Sequence, residues 1–287
     1  VYNRSPRQLK QLDIEPVKVE ATPQKIAYHG QPLFLTIGPS ITMVLPMTMG
    51  ILFTQYAYAQ NGGTTSPFMY MGIITSVTSA IIGVFWALMN MRYQKQQAVI
   101  AEENRVAGYK EYIEKTRDLI ETKYQNNFSA LNLKYPSSRD CLDIILRNNS
   151  RLWENNERQE DFLTVRIGTG SILNPSSIIV PKERFSLSHE PLQDEPFKLL
   201  DEFKFIQGAP YIINLSTTKL LGIVGETRNE VMDVLVTQLA TRYSYKELKM
   251  AFLLVDEEKS QTYKWLPHAW NNDRKLRMVG LNPVQNN

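Results

Sequence analysis

Two long apolar stretches interrupt an otherwise polar chain. No Lys, Arg, Asp or Glu occurs from residue 26 to residue 91. Apolar runs at residues 33–58 and 68–89 lie inside that block, separated by a short connection rich in turn-forming residues. Each run exceeds the roughly 20 residues that a helix needs to cross a bilayer. The pattern predicts a transmembrane helical hairpin over residues 32–90, in which small residues such as Gly72 allow close approach within the hairpin or between subunits.

Cationic residues flank this predicted hairpin on both sides, and the connection between its helices carries none. Lys18 and Lys25 precede the hairpin, and Arg92 and Lys95 follow it. Because cationic flanks remain on the cytoplasmic side of a membrane, we expect a multi-pass protein with both ends in the cytoplasm. Residues 1–31 then form a cytoplasmic N-terminal segment.

Residues 91–134 lack proline and are rich in residues that favour helices. Apolar side chains recur there at seven-residue intervals, at Val99, Val106, Ile113 and Ile120. The second apolar position that each heptad of a complete coiled coil needs is missing. We therefore expect a helical stalk, continuous with the second apolar run, that packs its stripe on a neighbouring chain or on its own domain.

Residues 135–287 combine helical and strand patterns and predict an α/β domain. Ser137 or Ser138 is suited to cap a helix over residues 141–146. Alternation and length predict the following further elements: strands at residues 162–167 and 177–180, and a helix at 194–205.

A strand, a glycine turn, a helix and a second strand form the strongest pattern in this domain. They are predicted at residues 220–224, 225–229, 230–243 and 249–255. A right-handed unit of this kind is the layout of a nucleotide-binding fold.

The turn of this unit departs from a functional P-loop. A P-loop needs a second glycine, followed by a lysine that contacts the phosphates. Both are missing here, and we interpret the turn as a degenerate nucleotide loop formed by Gly222, Gly225, Glu226, Thr227 and Arg228. Asp256 and Glu257 follow the second strand and resemble the Mg²⁺-binding end of a Walker B strand, although without a P-loop a polar strand end is the simpler interpretation. We predict a P-loop-like domain with no catalytic residue that does not hydrolyse ATP.

Composition narrows the remaining chemistry. A single cysteine, Cys141, excludes an internal disulfide, and we expect it to be a small buried residue. The three histidines are not clustered, so no metal site is expected, and His268 lies between aromatic residues as a packed side chain would. The net charge of +3 gives no support for a nucleic-acid surface.

Six short motifs occur in an order that is typical of one family. They are Arg4-Ser-Pro-Arg7, Leu152-Trp153, the stretch from Asp161 to Gly170, the stretch from Gly222 to Gly225, the stretch from Gln238 to Ser244, and Trp265-Leu-Pro-His268. Together they resemble the membrane ATPases of type VII secretion, the EssC/EccC proteins of the FtsK/SpoIIIE class, over nearly the whole chain.

The resemblance implies a membrane-proximal, non-catalytic scaffold of a longer motor that exports WXG-type proteins. It implies that ATP and Mg²⁺ bind only in downstream ATPase domains, that subunits form a hexamer in a bacterial cell membrane, and that the partners include membrane lipid and other secretion subunits but no nucleic acid. One alternative is the membrane anchor of a DNA translocase of the same class, which the charge does not favour. Another is a membrane sensor, which the short connection between the apolar runs does not favour.

Overall fold

The computed structural model of the protein describes residues 6–7, 9–25, 33–60, 67–182 and 190–281. The helices are α1 (Leu33–Gln60), α2 (Pro67–Lys134), α3 (Ser138–Leu146), α4 (Glu195–Phe203), α5 (Leu215–Thr218), α6 (Arg228–Arg242) and α7 (Glu257–Tyr263). The strands are β1 (Val17–Lys18), β2 (Thr164–Leu173), β3 (Ile178–Ile179), β4 (Phe205–Asn214), β5 (Phe252–Leu254) and β6 (Val279–Leu281). The chain divides into a helical unit, Thr22–Glu114, and an α/β unit formed by Val1–Ala21 and Lys115–Asn287. The mixed α/β character predicted from the sequence is confirmed.

The helical unit contains α1 and the first part of α2. The two helices approach closely at Gly72, where an added Cβ would lie 3.1 Å from Cδ1 of Ile51. Farther along α2, the Arg105 guanidinium donates to the backbone carbonyl of Pro23 at 2.6 Å and pairs with Glu102 at 2.8 Å. The small residue at position 72 therefore serves packing between these helices.

The predicted transmembrane hairpin is wrong. Among the described residues, no helix has the combination of length and sustained apolarity that spanning a bilayer requires. The prediction depended on the length and apolarity of the two runs and on their lack of charge, but the runs also contain polar residues. Thr48 and Thr54 in α1 and Thr75 and Thr78 in α2 carry hydroxyl groups that bond to carbonyls of their own helix, and α2 continues into charged sequence.

The predicted multi-pass location in a bacterial cell membrane, with both ends cytoplasmic, depended on that hairpin and is wrong for the same reason. The membrane-lipid partner loses its basis as well. The connection at residues 61–66 lies outside the described residues, as do Arg4, His29 and His189.

The N-terminal segment is part of the α/β unit. Val17 and Lys18 in β1 pair in parallel with Ile178 and Ile179 in β3. Upstream of β1, the Asp13 carboxylate pairs with Lys123 of α2 at 2.8 Å. The strand predicted at residues 177–180 is thus confirmed, but its partner comes from the beginning of the chain.

The antiparallel pair of β2 and β4 is the longest strand pairing among the described residues of this unit. The two strands are antiparallel, and their register shifts between Arg166 and Gly168 and again between Gly170 and Ile172. The strand predicted at residues 162–167 is confirmed and extends farther, whereas β4 was not predicted. A hydrophobic cluster packs the end of α2 on β4 through four buried side chains: Leu131, Tyr135, Ile206 and Ala209.

The helix predicted after residue 137 is confirmed as α3. The Ser137 hydroxyl accepts from the Asp140 amide, and the Asp140 carboxylate accepts from the Ser137 amide at 2.9 Å, which completes a capping box. Cys141 in α3 is fully buried, as expected.

The predicted strand–helix–strand unit does not form as expected. Residues 220–224 adopt no strand, and Leu220 and Val224 are 88% and 97% exposed. The helix predicted next is confirmed as α6, and the second strand as the shorter β5. The parallel partner of β5 is β6, which follows α7. The strand β5 therefore pairs with a downstream segment, β6, and the three residues of β6 are too few to show a strand pattern in the sequence.

Candidate functional site

The predicted nucleotide loop is an exposed turn that closes on itself. Gly225 has a φ of 133°, in a region that favours glycine. Arg228 is the first residue of α6, and its guanidinium donates to the Gly225 carbonyl at 3.3 Å. Gly222, Glu226 and Thr227 are exposed, and the Thr227 side chain makes no capping bond to α6.

The Walker B-like pair lies at the beginning of a helix. The Asp256 carboxylate accepts from the Glu258 amide at 2.9 Å, so Asp256 is the N-cap of α7, and Glu257 is the first residue of that helix. Lys259 in α7 contacts the Asn229 carbonyl at 3.4 Å and the Asp233 carboxylate at 2.8 Å. The two predicted segments are thus connected through Lys259, which is committed to an ion pair with α6.

Residues from three of the other motifs meet at a buried ion-pair cluster. Arg7 donates to both carboxylate oxygens of Asp161, at 2.8 and 2.5 Å, and Arg242 lies 3.6 Å from the same carboxylate. The side chains of Arg7, Asp161 and Arg242 are 7%, 8% and 3% exposed. Burial alone would raise the pKa of Asp161, but the hydrogen bonds and charge of Arg7 outweigh it and hold that pKa below its ordinary value.

Tyr243 connects this cluster to the rest of the unit. Its hydroxyl accepts from the Leu163 amide at 2.8 Å and donates to the Asp161 carbonyl at 3.3 Å. Leu163 has a φ of 57°, so this hydroxyl satisfies an amide in a strained turn. The Tyr243 carbonyl is 2.7 Å from Nε2 of His268, which is buried as predicted.

The carboxyl end of α6 is capped by a neighbouring loop. The last four carbonyls of a helix lack partners within the helix. Here the Tyr243 amide bonds to the Leu239 carbonyl, and Trp153 donates its indole N–H to the Ala240 carbonyl at 2.9 Å. The Trp153 amide bonds to the Thr241 carbonyl, and the next carbonyl accepts from the amide of residue 155. All four are satisfied.

Gln238 and Arg242 attach α6 to β2. The Gln238 side chain accepts from the Arg166 amide at 2.8 Å and donates to the Arg166 carbonyl at 2.6 Å, so it pairs with β2 as a neighbouring strand would. Arg242 donates to the Thr164 carbonyl. These contacts join α6 to β2, so the motif residues hold separate segments of the chain together.

The sequence shows these motifs but does not show that their residues contact one another in the fold. Arg7, Trp153, Asp161, Tyr243 and His268 come from separate parts of the sequence, and their polar atoms interact at one place. One feature of the sequence could have indicated the cluster: charged residues occur inside otherwise apolar or turn-like motifs, at Arg7, Asp161 and Arg242. Within the described residues, no group of histidine, cysteine or acidic side chains is arranged to hold a metal ion.

The fold and this cluster define an α/β unit whose motif residues form a structural junction. No protein-family profile matches the chain. It is 23% identical over 280 residues to the type VII secretion system protein EssC of Staphylococcus aureus strain NCTC 8325, covering 96% of this chain and 18% of that protein. It is 25% identical over 276 residues to the ESX secretion system protein YukB of Bacillus subtilis strain 168, covering 93% of this chain and 17% of that protein.

These relatives confirm the resemblance to type VII secretion proteins that the motifs predicted. The chain resembles EssC and YukB in sequence and spans less than a fifth of the length of the curated relatives it matches.

Proposed function

We propose that this chain is a non-catalytic assembly element of a type VII secretion protein. Its α/β unit holds the N-terminal segment in a defined position and contacts other subunits of the secretion system. The observation that carries this proposal is the buried cluster of Arg7, Asp161 and Arg242. These three residues belong to the motifs that resemble type VII secretion proteins, and all three form structural ion pairs.

The turn before α6 supports a non-catalytic role. Phosphate binding needs backbone amides that form a cradle and a cation that faces it. Gly225 instead presents its carbonyl to Arg228, and the carboxylate of Glu226 would repel phosphate. The nearest lysine with a known contact to this end of α6, Lys259, is paired with Asp233. ATP and Mg²⁺ would then act elsewhere in a longer protein, and the export of WXG-type proteins would be driven there.

Nucleotide binding provides the first test. The full chain is titrated with Mg-ATP by calorimetry, and phosphate release is measured on the same sample. We expect neither binding nor hydrolysis. Saturable binding that disappears in Arg228→Ala, with hydrolysis that disappears at the same time, would contradict the proposal. Lys198→Ala, which alters an exposed ion pair on α4, is the matched control.

Assembly provides the second test. A tagged chain is produced in the bacterium that encodes it, and secretion subunits that co-purify are identified by mass spectrometry. We expect capture of secretion-system proteins by the wild-type chain and by Asp201→Asn, which changes an exposed carboxylate, but reduced capture by Asp161→Asn. Native mass spectrometry of the same sample tests for the hexamer that the resemblance to type VII secretion ATPases implies. Capture of DNA-segregation proteins in place of secretion subunits would refute the assignment.

A further inference from the structure

Two arginines stack on three aromatic rings near the end of the α/β unit. The guanidinium carbon of Arg277 lies 4.6 Å from the ring centre of Trp270 and 5.0 Å from that of Trp265. The guanidinium carbon of Arg274 lies 5.2 Å from the ring centre of Tyr245. We call these five residues the arginine–aromatic surface. None of them belongs to the buried cluster around Asp161.

A tight hairpin holds this surface in place. Trp270 and Arg277 face each other across an antiparallel bridge. The Asn271 amide donates to the Leu276 carbonyl at 2.9 Å, and the Asn271 side chain accepts from the amides of Lys275 and Leu276 at 2.9 and 3.2 Å. The backbone that carries the arginines is therefore ordered before any partner arrives, which reduces the entropy cost of binding.

Part of the surface is open to solvent. Trp265 is 69% exposed and Arg274 is also exposed, whereas Tyr245, Trp270 and Arg277 are half-buried. In the part of the chain that the structure describes, the Arg277 guanidinium has no hydrogen bond to a carboxylate or a carbonyl. Tryptophan, tyrosine and arginine are the residues most enriched where proteins bind one another tightly.

The stacking geometry limits which partner fits. One N–H group of Arg274 already donates to the Tyr245 hydroxyl, at 3.0 Å. A guanidinium that lies over a ring covers the face on which a nucleic-acid base would stack and keeps its N–H groups at the edge of its plane. Those N–H groups match a carboxylate in two parallel hydrogen bonds. Lys264 lies 5.4 Å from the Trp265 ring centre and Lys249 lies 5.6 Å from that of Tyr245, which adds positive charge. The surface thus complements acidic side chains next to an apolar one.

We propose that the arginine–aromatic surface binds an acidic segment of a protein partner. Carboxylates of the segment pair with Arg277 and Arg274, and an apolar side chain beside them packs on Trp265. This inference stands on the local geometry alone and is independent of the proposed secretion role, which leaves the contact surface unspecified.

Fluorescence anisotropy with the full chain tests the proposal. The probe is a short labelled peptide of alternating Glu and Leu, and the same peptide with Gln in place of every Glu is the neutral reference. We expect the Glu peptide to bind and Arg277→Glu to weaken it by about tenfold or more, as expected for the loss of a charged hydrogen-bonded pair. Arg277→Lys keeps the charge but loses the planar fork, and we expect an intermediate loss.

Lys204→Glu is the matched control. Its ammonium lies 5.6 Å from the Phe205 ring centre on another part of the α/β unit, so the variant makes the same charge change and removes a similar stacked pair. We expect this variant to bind like the wild type. Urea unfolding of each variant reports whether the fold is retained, and Arg277→Lys provides the comparison if Arg277→Glu does not fold.

Several results would overturn the proposal. These are equal binding of the Glu and Gln peptides, no binding of the Glu peptide at any concentration tested, and equal weakening by Arg277→Glu and Lys204→Glu. Tighter binding of oligothymidylate, or of phosphatidylserine–phosphatidylcholine vesicles, than of the Glu peptide would also overturn it, because the surface would then prefer a nucleic acid or a lipid.

Discussion

Neutralising Asp161 is the most direct test of the buried cluster. Asp161→Asn keeps the shape of the side chain but leaves the positive charges of Arg7 and Arg242 without their carboxylate. Both arginine side chains are less than a tenth exposed, at 7% and 3%, so solvent compensates little. Breaking a buried ion pair by removing one partner costs about 3–5 kcal/mol. We expect a loss of that size in the free energy of unfolding.

Urea unfolding monitored by fluorescence and circular dichroism measures this loss. Asp201→Asn makes the same chemical change on the exposed side of α4, and we expect it to change the free energy by less than about 0.5 kcal/mol. A cycle with Arg7→Met isolates the pairwise contribution, for which we expect a coupling of about 1–3 kcal/mol. Equal effects of Asp161→Asn and Asp201→Asn would show that the cluster contributes nothing to stability.

The pH dependence of the same difference provides an independent check. The pKa of Asp161 is lower in the folded protein than in the unfolded chain. Its contribution is therefore complete above the unfolded value of about 4 and is lost as the pH falls through the folded value. We expect the wild type and Asp161→Asn to converge in stability as the pH drops below about 4, and a constant difference would refute the assignment.

Three further outcomes are expected. Ser137→Ala should lower stability by about 1 kcal/mol because it removes the cap of α3, whereas Ser138→Ala should have a smaller effect; equal melting shifts would contradict the capping box. Burial raises the pKa of the Cys141 thiol to about 11, so iodoacetamide should modify it only on unfolding, and rapid labelling of the native chain by mass spectrometry would disprove its burial. Burial lowers the pKa of His268 against the opposing bond to the Tyr243 carbonyl, so stability should fall as the pH drops below about 6.5, and His268→Gln should flatten that slope in melting experiments.

Local patterns predicted those elements whose signals lie within a few residues. The serine cap of α3, expected at Ser137 or Ser138, and the period of α6 are short-range features, and both helices formed as expected. The strand predicted at residues 220–224 does not form, because an apolar run indicates a preference for burial but does not determine which strand it would pair with. The structure pairs β5 with β6 and leaves Leu220 and Val224 exposed.

The predicted hairpin failed for a related reason. Long runs without charge favour a membrane span, but the runs of this chain also contain hydroxyl and amide side chains, which lower their apolarity. The helices themselves were predicted correctly as α1 and the first part of α2.

The residues of this chain specify its relation to type VII secretion proteins, most of its helices, and the absence of a complete P-loop motif. They do not reveal that Arg7 reaches Asp161, or that Trp153 covers the end of α6. Those contacts join positions that are distant along the chain. The local sequence around a hydrogen-bonding group does not indicate which distant group it will bond to. The structural role of the motifs therefore depends on the tertiary structure. A carboxylate such as that of Asp161 can be buried only where folding brings positive charges to it.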